Sequence, residues 1–279
     1  MGKTALSRWT TGLTLLFIHL GALLAFWQGF FHWSALVVAA VIAYATGALG
    51  VTLCYHRTLT HRSLRLRKPI EYITETFGAL ALQGDTISWV TTHRLHHKYS
   101  DQEGDPHGMN KGFLWAHVAW LVRPNAAIPG KDEMKRFATD LYESRFYRAL
   151  QYLHFPLQIA LAVVLFLIGG WSWVIWGVFV RLVFTYHTTW LVNRAAHMFG
   201  YQSFRSNDRS TNCWWVALLS FGEGWHNNHH AFPFSARMGL RWFEIDMTWW
   251  AVKLLALLRL ADNIKVPTDQ MKERLIKAA

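Results

Sequence analysis

Charge is scarce in this 279-residue chain and absent from long parts of it. Only 16% of residues are Asp, Glu, Lys or Arg, and none falls between Trp9 and His56 or between Ala149 and Val180. Stretches of that length and apolarity exclude a soluble globular class, since a membrane pass needs only about 20 residues. Cysteine is nearly missing as well. Cys54 and Cys213 alone exclude both a disulfide framework and a thiolate metal cage. Acidic residues are outnumbered 17 to 28, yet the basic ones are not gathered on a recognisable module, so no nucleic-acid partner is expected. The excess marks topology and affinity for anionic headgroups instead. Met1–Ser7 is too short and polar for a secretory signal.

Hydrophobic and aromatic residues are abundant: 52% hydrophobic, with 16 Trp and 18 Phe. Trp27, Phe30, Phe31 and Trp33 interrupt the first apolar stretch, and Gly169, Gly170, Trp171 and Trp173 interrupt the second. These are the marks of turns at a membrane face. Two helical hairpins are therefore expected, with spans at 11–30, 35–55, 152–168 and 171–192. The turns carry no Lys or Arg, so the positive-inside rule puts both termini and the segment 57–148 on the cytoplasmic side. The expected fold is an all-α, multi-pass integral membrane protein forming one domain over 1–279. Residues 56–151 and 193–279 would build a cytoplasmic helical cap. Arg181 disturbs the fourth span, because a charge at the bilayer centre costs at least about 2.5–3.5 kcal/mol. Either the helix rises early into the cytoplasm or Arg181 faces the bundle and a polar partner.

Histidine is the residue in excess, with 15 copies. His226, His229 and His230 stand at i, i+3 and i+4, a spacing that puts three imidazoles on one helical face. His93, His96 and His97 repeat it. His56 and His61 add a pair at i and i+5, about 140° apart on an ideal α-helix and so a weaker signal. Asn193 and His197, four residues apart, share a face of the helix continuing the fourth span. Two triplets plus a pair point to metal ligation rather than ordinary core histidines. Imidazole ligands suit Zn, Cu, Fe or Ni without choosing among them. Nine candidates (His56, His61, His93, His96, His97, His197, His226, His229, His230) are too many for one four-coordinate zinc and divide over two ions, a di-metal site in the cap. Soluble di-iron bundles use four Glu and two Glu-x-x-His motifs; here Glu223 to His226 is the one such motif, so that class does not fit. His19, alone in the first span, reads as a bond to a neighbouring helix.

Between these landmarks the chain suggests supporting parts. Arg57, Arg62, Arg65, Arg67 and Lys68 read as a juxtamembrane anchor or a contact to a substrate headgroup. A helix over Glu71–Leu82 would lie along the interface, as would Phe113–Val122 with His117. The carboxylates of the 101–107 loop (Asp101, Glu103, Asp105) are either solvated or acceptors that fix imidazole tautomers. Lys131–Arg148 reads as a charged soluble run, Asn207–Asn212 as a polar loop and Phe243–Leu260 as a membrane-surface helix. Residues 261–279 are expected to fray.

The runs HRTLTH, HRLHH and WHNNHH resemble the three histidine boxes of the integral-membrane fatty-acid desaturases, and NRAAH resembles that family's Asn-x3-His segment. The flanking GDPH, YHTTWLVN and DRSTNCWWVALLSFGEGWHNNHHAFP are similar to the delta-9 branch, above all its bacterial and cyanobacterial acyl-lipid type, over roughly residues 35–260. The resemblance implies a four-span, mushroom-shaped fold with two iron ions in the cytoplasmic cap. His56, His61, His93, His97 and His229 would hold one iron. His96, His197, His226 and His230 would hold the other, with Asn193 acting through a water. It further implies O2-dependent removal of two hydrogens near carbon 9 of an acyl chain carried by a lipid, CoA or a carrier. Electrons would come from a separate ferredoxin or b-type cytochrome, since no His-Pro-Gly-Gly haem segment occurs. Trp89, Thr189, Trp190 and Trp225 are the candidate walls of an acyl tunnel. A hydroxylase on the same scaffold is the nearest rival. A membrane metal transporter would need polar residues aligned through the spans, whereas these histidines cluster at the cytoplasmic ends.

Overall fold

The computed structural model describes residues 5–276, so the last residues of the tail expected to fray lie outside the described residues. The fold is built of helices, with one two-residue antiparallel pair, β1 (Arg65–Leu66) and β2 (Ala261–Asp262), in which Arg65 faces Asp262. Helix α1 (Ala5–Leu23) ends in a 3-10 turn, Leu24–Phe26. Helix α2 (Trp33–Ala43) runs on without a break into a π-wound segment, Tyr44–Thr60. Next come α3 (Lys68–Leu80), α4 (Thr86–Tyr99), α5 (Lys131–Phe137) and α6 (Thr139–Tyr142). Helix α7 (Arg145–Val174) continues through a second π-wound segment (Ile175–Val180) into α8 (Arg181–Ala195). The remaining helices are α9 (Trp214–Leu219), α10 (His226–Ala231), α11 (Met247–Leu257) and α12 (Asp269–Leu275).

Among the described residues, three helical runs are long and apolar enough to cross a membrane: Ala5–Phe26, Trp33–Thr60 and the 51-residue Arg145–Ala195. Straight, the last would reach about 76 Å at 1.5 Å per residue. It is not straight. Gly170 has φ 65° and ψ −161°, a left-handed conformation that a side chain resists. The two arms fold back on each other: Arg181 donates to Gln158 Oε1 at 3.0 Å, 23 residues earlier in the chain. A Cβ on Gly177 would stand 2.8 Å from Leu165 Cδ1, so glycine is what lets the arms close. The carbonyl of Phe30 accepts from Ser172 Oγ (2.7 Å) and Trp176 Nε1 (2.9 Å), which ties the two turns together.

Boundaries differ from those expected, for readable reasons. The first helix begins at Ala5 and ends at Phe26, and the second extends to Thr60, because winding continues past the apolar run into the first histidine pair. The Lys131–Arg148 run breaks after α6; Arg145 and Arg148 already belong to α7, where they extend the hairpin arm beyond its apolar core. Helix α3 starts at Lys68, with Pro69 in its first turn, and Leu82 at φ 53° turns the chain just beyond its end. The tail carries β2 and α12, the latter capped by Thr268, which accepts from Met271 N at 3.3 Å.

The outer face of α1 presents Leu13, Phe17, Leu20 and Leu23 outward, as a lipid-facing helix does. Its inner face packs Ile18 against Leu165, Val174, Val178, Leu182, Tyr186 and Trp190. Arg181 resolves its two alternatives by facing inward. It is buried and donates to the carbonyls of Gly177 (3.0 Å) and Leu80 (2.7 Å) as well as to Gln158. His19 bonds His187 across helices at 3.1 Å, and His187 in turn meets His117 at 3.0 Å. Helix α3 meets the π-wound rod backbone to backbone, since a Cβ on Gly50 would lie 2.4 Å from Gly78 N. That close approach fixes where α4 begins.

Candidate metal centre

Four local structures deliver the histidines. Asp85 caps α4 by accepting from Ser88 N at 3.0 Å, and the helix then presents His93, His96 and His97. Helix α10 begins at His226 and carries His229 and His230. His197 follows the end of α8. His56 and His61 come from the end of the π-wound rod. In that winding, hydrogen bonds run from i to i+5, so residues five apart stack along the axis rather than splaying by about 140°. His61 N donates to His56 O at 3.1 Å and the two rings stand 4.8 Å apart. Thr58 and Thr60 repeat the spacing, donating to the carbonyls of Leu53 (2.8 Å) and Tyr55 (2.7 Å).

The result is two groups whose ligand atoms lie within 4.8 Å of one another: His56, His61, His93, His97 and His229 in one, and His96, His197, His226 and His230 in the other. In the first group the Nε2 atoms touch in series, His56–His229 at 3.1 Å, His229–His97 at 2.8 Å and His97–His93 at 3.1 Å. Metal–nitrogen bonds of about 2.0–2.1 Å produce ligand–ligand edges of roughly 2.9–3.4 Å, so the spacing is that of a coordination shell. Buried nitrogens without any partner, among them His61 Nε2, His96 Nε2, His197 Nε2, His230 Nε2 and both nitrogens of His226, would be costly unless something binds them. The donor set therefore fits metal ions. Burial, reinforced by the neighbouring imidazoles, holds His61, His93, His97, His226 and His229 well below the usual histidine range and brings His230 to about 4. All are thus neutral ligands at neutral pH.

Carboxylates hold four of the rings from behind. His96 Nδ1 bonds Asp105 at 3.0 Å and His197 Nδ1 bonds Asp101 at 3.0 Å. His230 Nδ1 bonds Asp208, and His56 Nδ1 bonds Glu223. Each contact directs Nε2 inward and fixes the tautomer. Burial alone would raise these acids, but their histidine partners outweigh it, so Asp101, Asp105, Asp208 and Glu223 all sit below the usual carboxylate range. Of the two readings of the 101–107 loop, Asp101 and Asp105 take the tautomer-fixing one. A third set, His96, Asp105 and His107, belongs to the same support, because Asp105 also accepts from the backbone N–H groups of Asp101 (3.0 Å) and His107 (3.1 Å). Asp208 and Glu223 carried no distinguishing sequence signal beyond lying in or beside histidine-bearing segments.

Arg57 is a correction. It is not a headgroup anchor but fully buried, with a bidentate contact to Asp246 (3.0 and 2.9 Å), bonds to Glu223 (3.2 and 3.4 Å) and one to the carbonyl of Ala236 (2.8 Å). Of its basic neighbours, Arg62 pairs with Asp140, Arg65 with Asp262 and Lys68 with Glu71.

A narrow cavity of about 50 Å³ leads from the histidines along the rod. It is lined by Gly47, Val51, Thr52, His56, Trp89, His93, Thr189, Val192, Asn193, Phe221 and His226, among others. Trp89, Thr189 and Asn193 are thus at its wall. Trp190 and Trp225 are not: Trp190 stacks on Tyr186 in the hairpin core, while Trp225 packs with Ala217 and Met238 and donates Nε1 to Ile245 O at 2.8 Å. Both were expected at the wall, and helix-to-helix packing takes them instead. On the other side of the histidines a wider cavity of about 340 Å³ is lined by His61, His97, His230, Arg94, Lys98 and Asp208, among others.

The fatty acid desaturase family profile matches residues 31–258. The chain is 51% identical to the sn-1 stearoyl-lipid 9-desaturase of Synechocystis sp., over 94% of this chain and 81% of that protein. It is likewise 51% identical to the sn-1 stearoyl-lipid 9-desaturase of Anabaena variabilis, over 92% of this chain and 94% of the relative. Delta-9 acyl-lipid desaturase 2 of Arabidopsis thaliana is 42% identical over 92% of this chain and 83% of its own length. Carrying two converging histidine groups inside a helical, membrane-compatible fold, the chain belongs to the fatty acid desaturase family.

Proposed function

We propose that this chain is an acyl-lipid delta-9 desaturase, which introduces a cis double bond between carbons 9 and 10 of a saturated acyl chain. One O2, two electrons and two protons are consumed per turnover; the acyl chain loses two hydrogens and two waters form. The observation that carries the reading is the meeting of nine histidines, in groups of five and four, at the end of a narrow cavity, in a chain half identical to stearoyl-lipid 9-desaturases.

His56, His61, His93, His97 and His229 would hold one iron, and His96, His197, His226 and His230 the other, with Asn193 positioning a water ligand. Bound there, the two irons would supply the reductive activation of O2 that an unactivated methylene requires. The rest is the work of the polypeptide. Methylenes are chemically alike, so position must be chosen by geometry. Val51, Trp89, Val192 and Phe221 line the cavity with apolar surface and exclude water. The hydroxyls of Thr52 and Thr189 are occupied by their own helices, donating to Ala48 O (2.7 Å) and Thr185 O (3.0 Å), so they do not compete for the substrate.

Four spans in two hairpins, with the histidine-bearing cap and both termini on the cytoplasmic side, follow from the charge-free turns. The electron donor would be a separate ferredoxin or b-type cytochrome. The wider cavity supports this, since Lys98 stands beside His61, His97 and His230 there and suits an acidic carrier. The test is the fatty-acid profile of a host expressing the chain, against a His229→Ala copy, with iron measured in both purified proteins. New 9-unsaturated acyl chains and two irons per chain are expected from the parent alone. Hydroxylated products, or no change in profile, would refute the reading.

A further inference from the structure

The carboxylates behind the histidines are not shared evenly. Three of the four rings in the second group carry one, in the pairs His96–Asp105, His197–Asp101 and His230–Asp208. One of the five in the first group does, His56–Glu223. The compensation differs too. Glu223 shares the Arg57 guanidinium with Asp246. Asp101, Asp105 and Asp208 pair with no lysine or arginine side chain among the described residues; their remaining partners are the His107 imidazole, 3.8 Å from Asp105, the backbone N–H groups of Arg209, Asp101, His107 and Ser210, and the Ser210 hydroxyl. All three are at most 10% exposed as side chains, so water screens them little.

A carboxylate accepting from a ligating imidazole makes that ring a stronger donor and adds negative charge beside the ion. Both effects favour the higher oxidation state. We infer that Asp101, Asp105 and Asp208 are positioning residues that lower the reduction potential of an iron in the four-histidine group below that of its neighbour. A first electron from the one-electron carrier would then reduce Fe(III) to Fe(II) in the five-histidine group. A second, from another carrier molecule, would reduce the remaining Fe(III). The inference rests on the two-iron reading proposed above.

The test is a potentiometric titration of 57Fe-loaded full-length protein in lipid nanodiscs, followed by Mössbauer spectroscopy. Two one-electron steps at least tenfold apart are expected, about 59 mV for single-electron transfer. Asp101→Asn and Asp208→Asn should each raise the lower step about tenfold more than the upper, and Glu223→Gln should do the reverse. Coincident steps in the parent protein, or aspartate variants that move chiefly the upper step, would overturn the inference. If the aspartate variants lose iron, single-iron proteins decide: with His61→Ala emptying the first group and His226→Ala the second, the iron left in the four-histidine group must have the lower potential. Equal or reversed potentials sink the inference while leaving the parent reading intact. Metal analysis that finds no pair of irons in the parent protein sinks that reading itself.

Discussion

Gly47 and Phe221 line the same cavity as His56, and the distance of Gly47 from His56 along the rod forecasts chain-length choice. Gly47 stands nine residue steps from His56 on the rod, at most about 13.5 Å at the α-helical rise and less in the π winding. An extended chain advances about 1.2 Å per bond, taking the backbone value of three bonds per residue. The nine bonds from carbon 9 to the methyl of a stearoyl chain therefore need about 11 Å, close to the length of rod between the two residues. A palmitoyl chain leaves two methylene places empty and forgoes about 1.6 kcal/mol of burial, or roughly fifteenfold in preference. A Cβ on Gly47 would come within 2.6 Å of the Phe221 ring, so a side chain there must push the ring or occupy the end of the cavity. Gly47→Val should turn the preference from 18 carbons toward 16, and Phe221→Ala should weaken the discrimination and admit 20. The assay is the ratio of 9-unsaturated C16, C18 and C20 products when the expressing host is fed the three saturated acids. Unchanged ratios in both variants would refute this reading of the floor.

Arg57 holds two buried carboxylates, and Arg57→Met leaves both without their cation; about 3–5 kcal/mol of stability should be lost in thermal unfolding of the detergent-purified protein. Arg181 has the opposite character, since its partners are two carbonyls and an amide rather than an anion. Gln158→Leu, which leaves the buried cation one acceptor short, should cost about 1–3 kcal/mol, and adding Arg181→Met should recover part of that loss. Burial pushes the Glu75 carboxyl from its ordinary 4.5 up to about 8. The folded protein keeps this proton while the unfolded chain loses it, so the stability it contributes is complete below about pH 4.5 and disappears as pH rises toward 8. Glu75→Gln should flatten that decline, read from unfolding midpoints between pH 5 and pH 9.

The histidine triplets were legible because an α-helix turns i, i+3 and i+4 into one face, and α4 and α10 are such helices. The long apolar helices were legible because charge-free stretches have few other uses. The His56–His61 pair was not, for its convergence depends on a winding that periodicity does not announce. Nor were the roles of Asp208, Glu223 and Arg57. A polar loop residue, a glutamate beside a histidine and an arginine at a membrane boundary look alike in sequence whether they face water or are buried. Trp190 and Trp225 show the reverse error: proximity along the chain to a histidine suggested the wall, and packing decided otherwise.

The π winding of Tyr44–Thr60 ties two distant events together. Relaxing it to an ordinary α pitch would lengthen the rod and swing His61 around the axis away from His56, shifting the Gly47 level as it did so. Whatever grips both imidazoles at one end therefore also sets the depth of the floor at the other, and a demetallated enzyme should misjudge its substrate as well as fail to oxidise it.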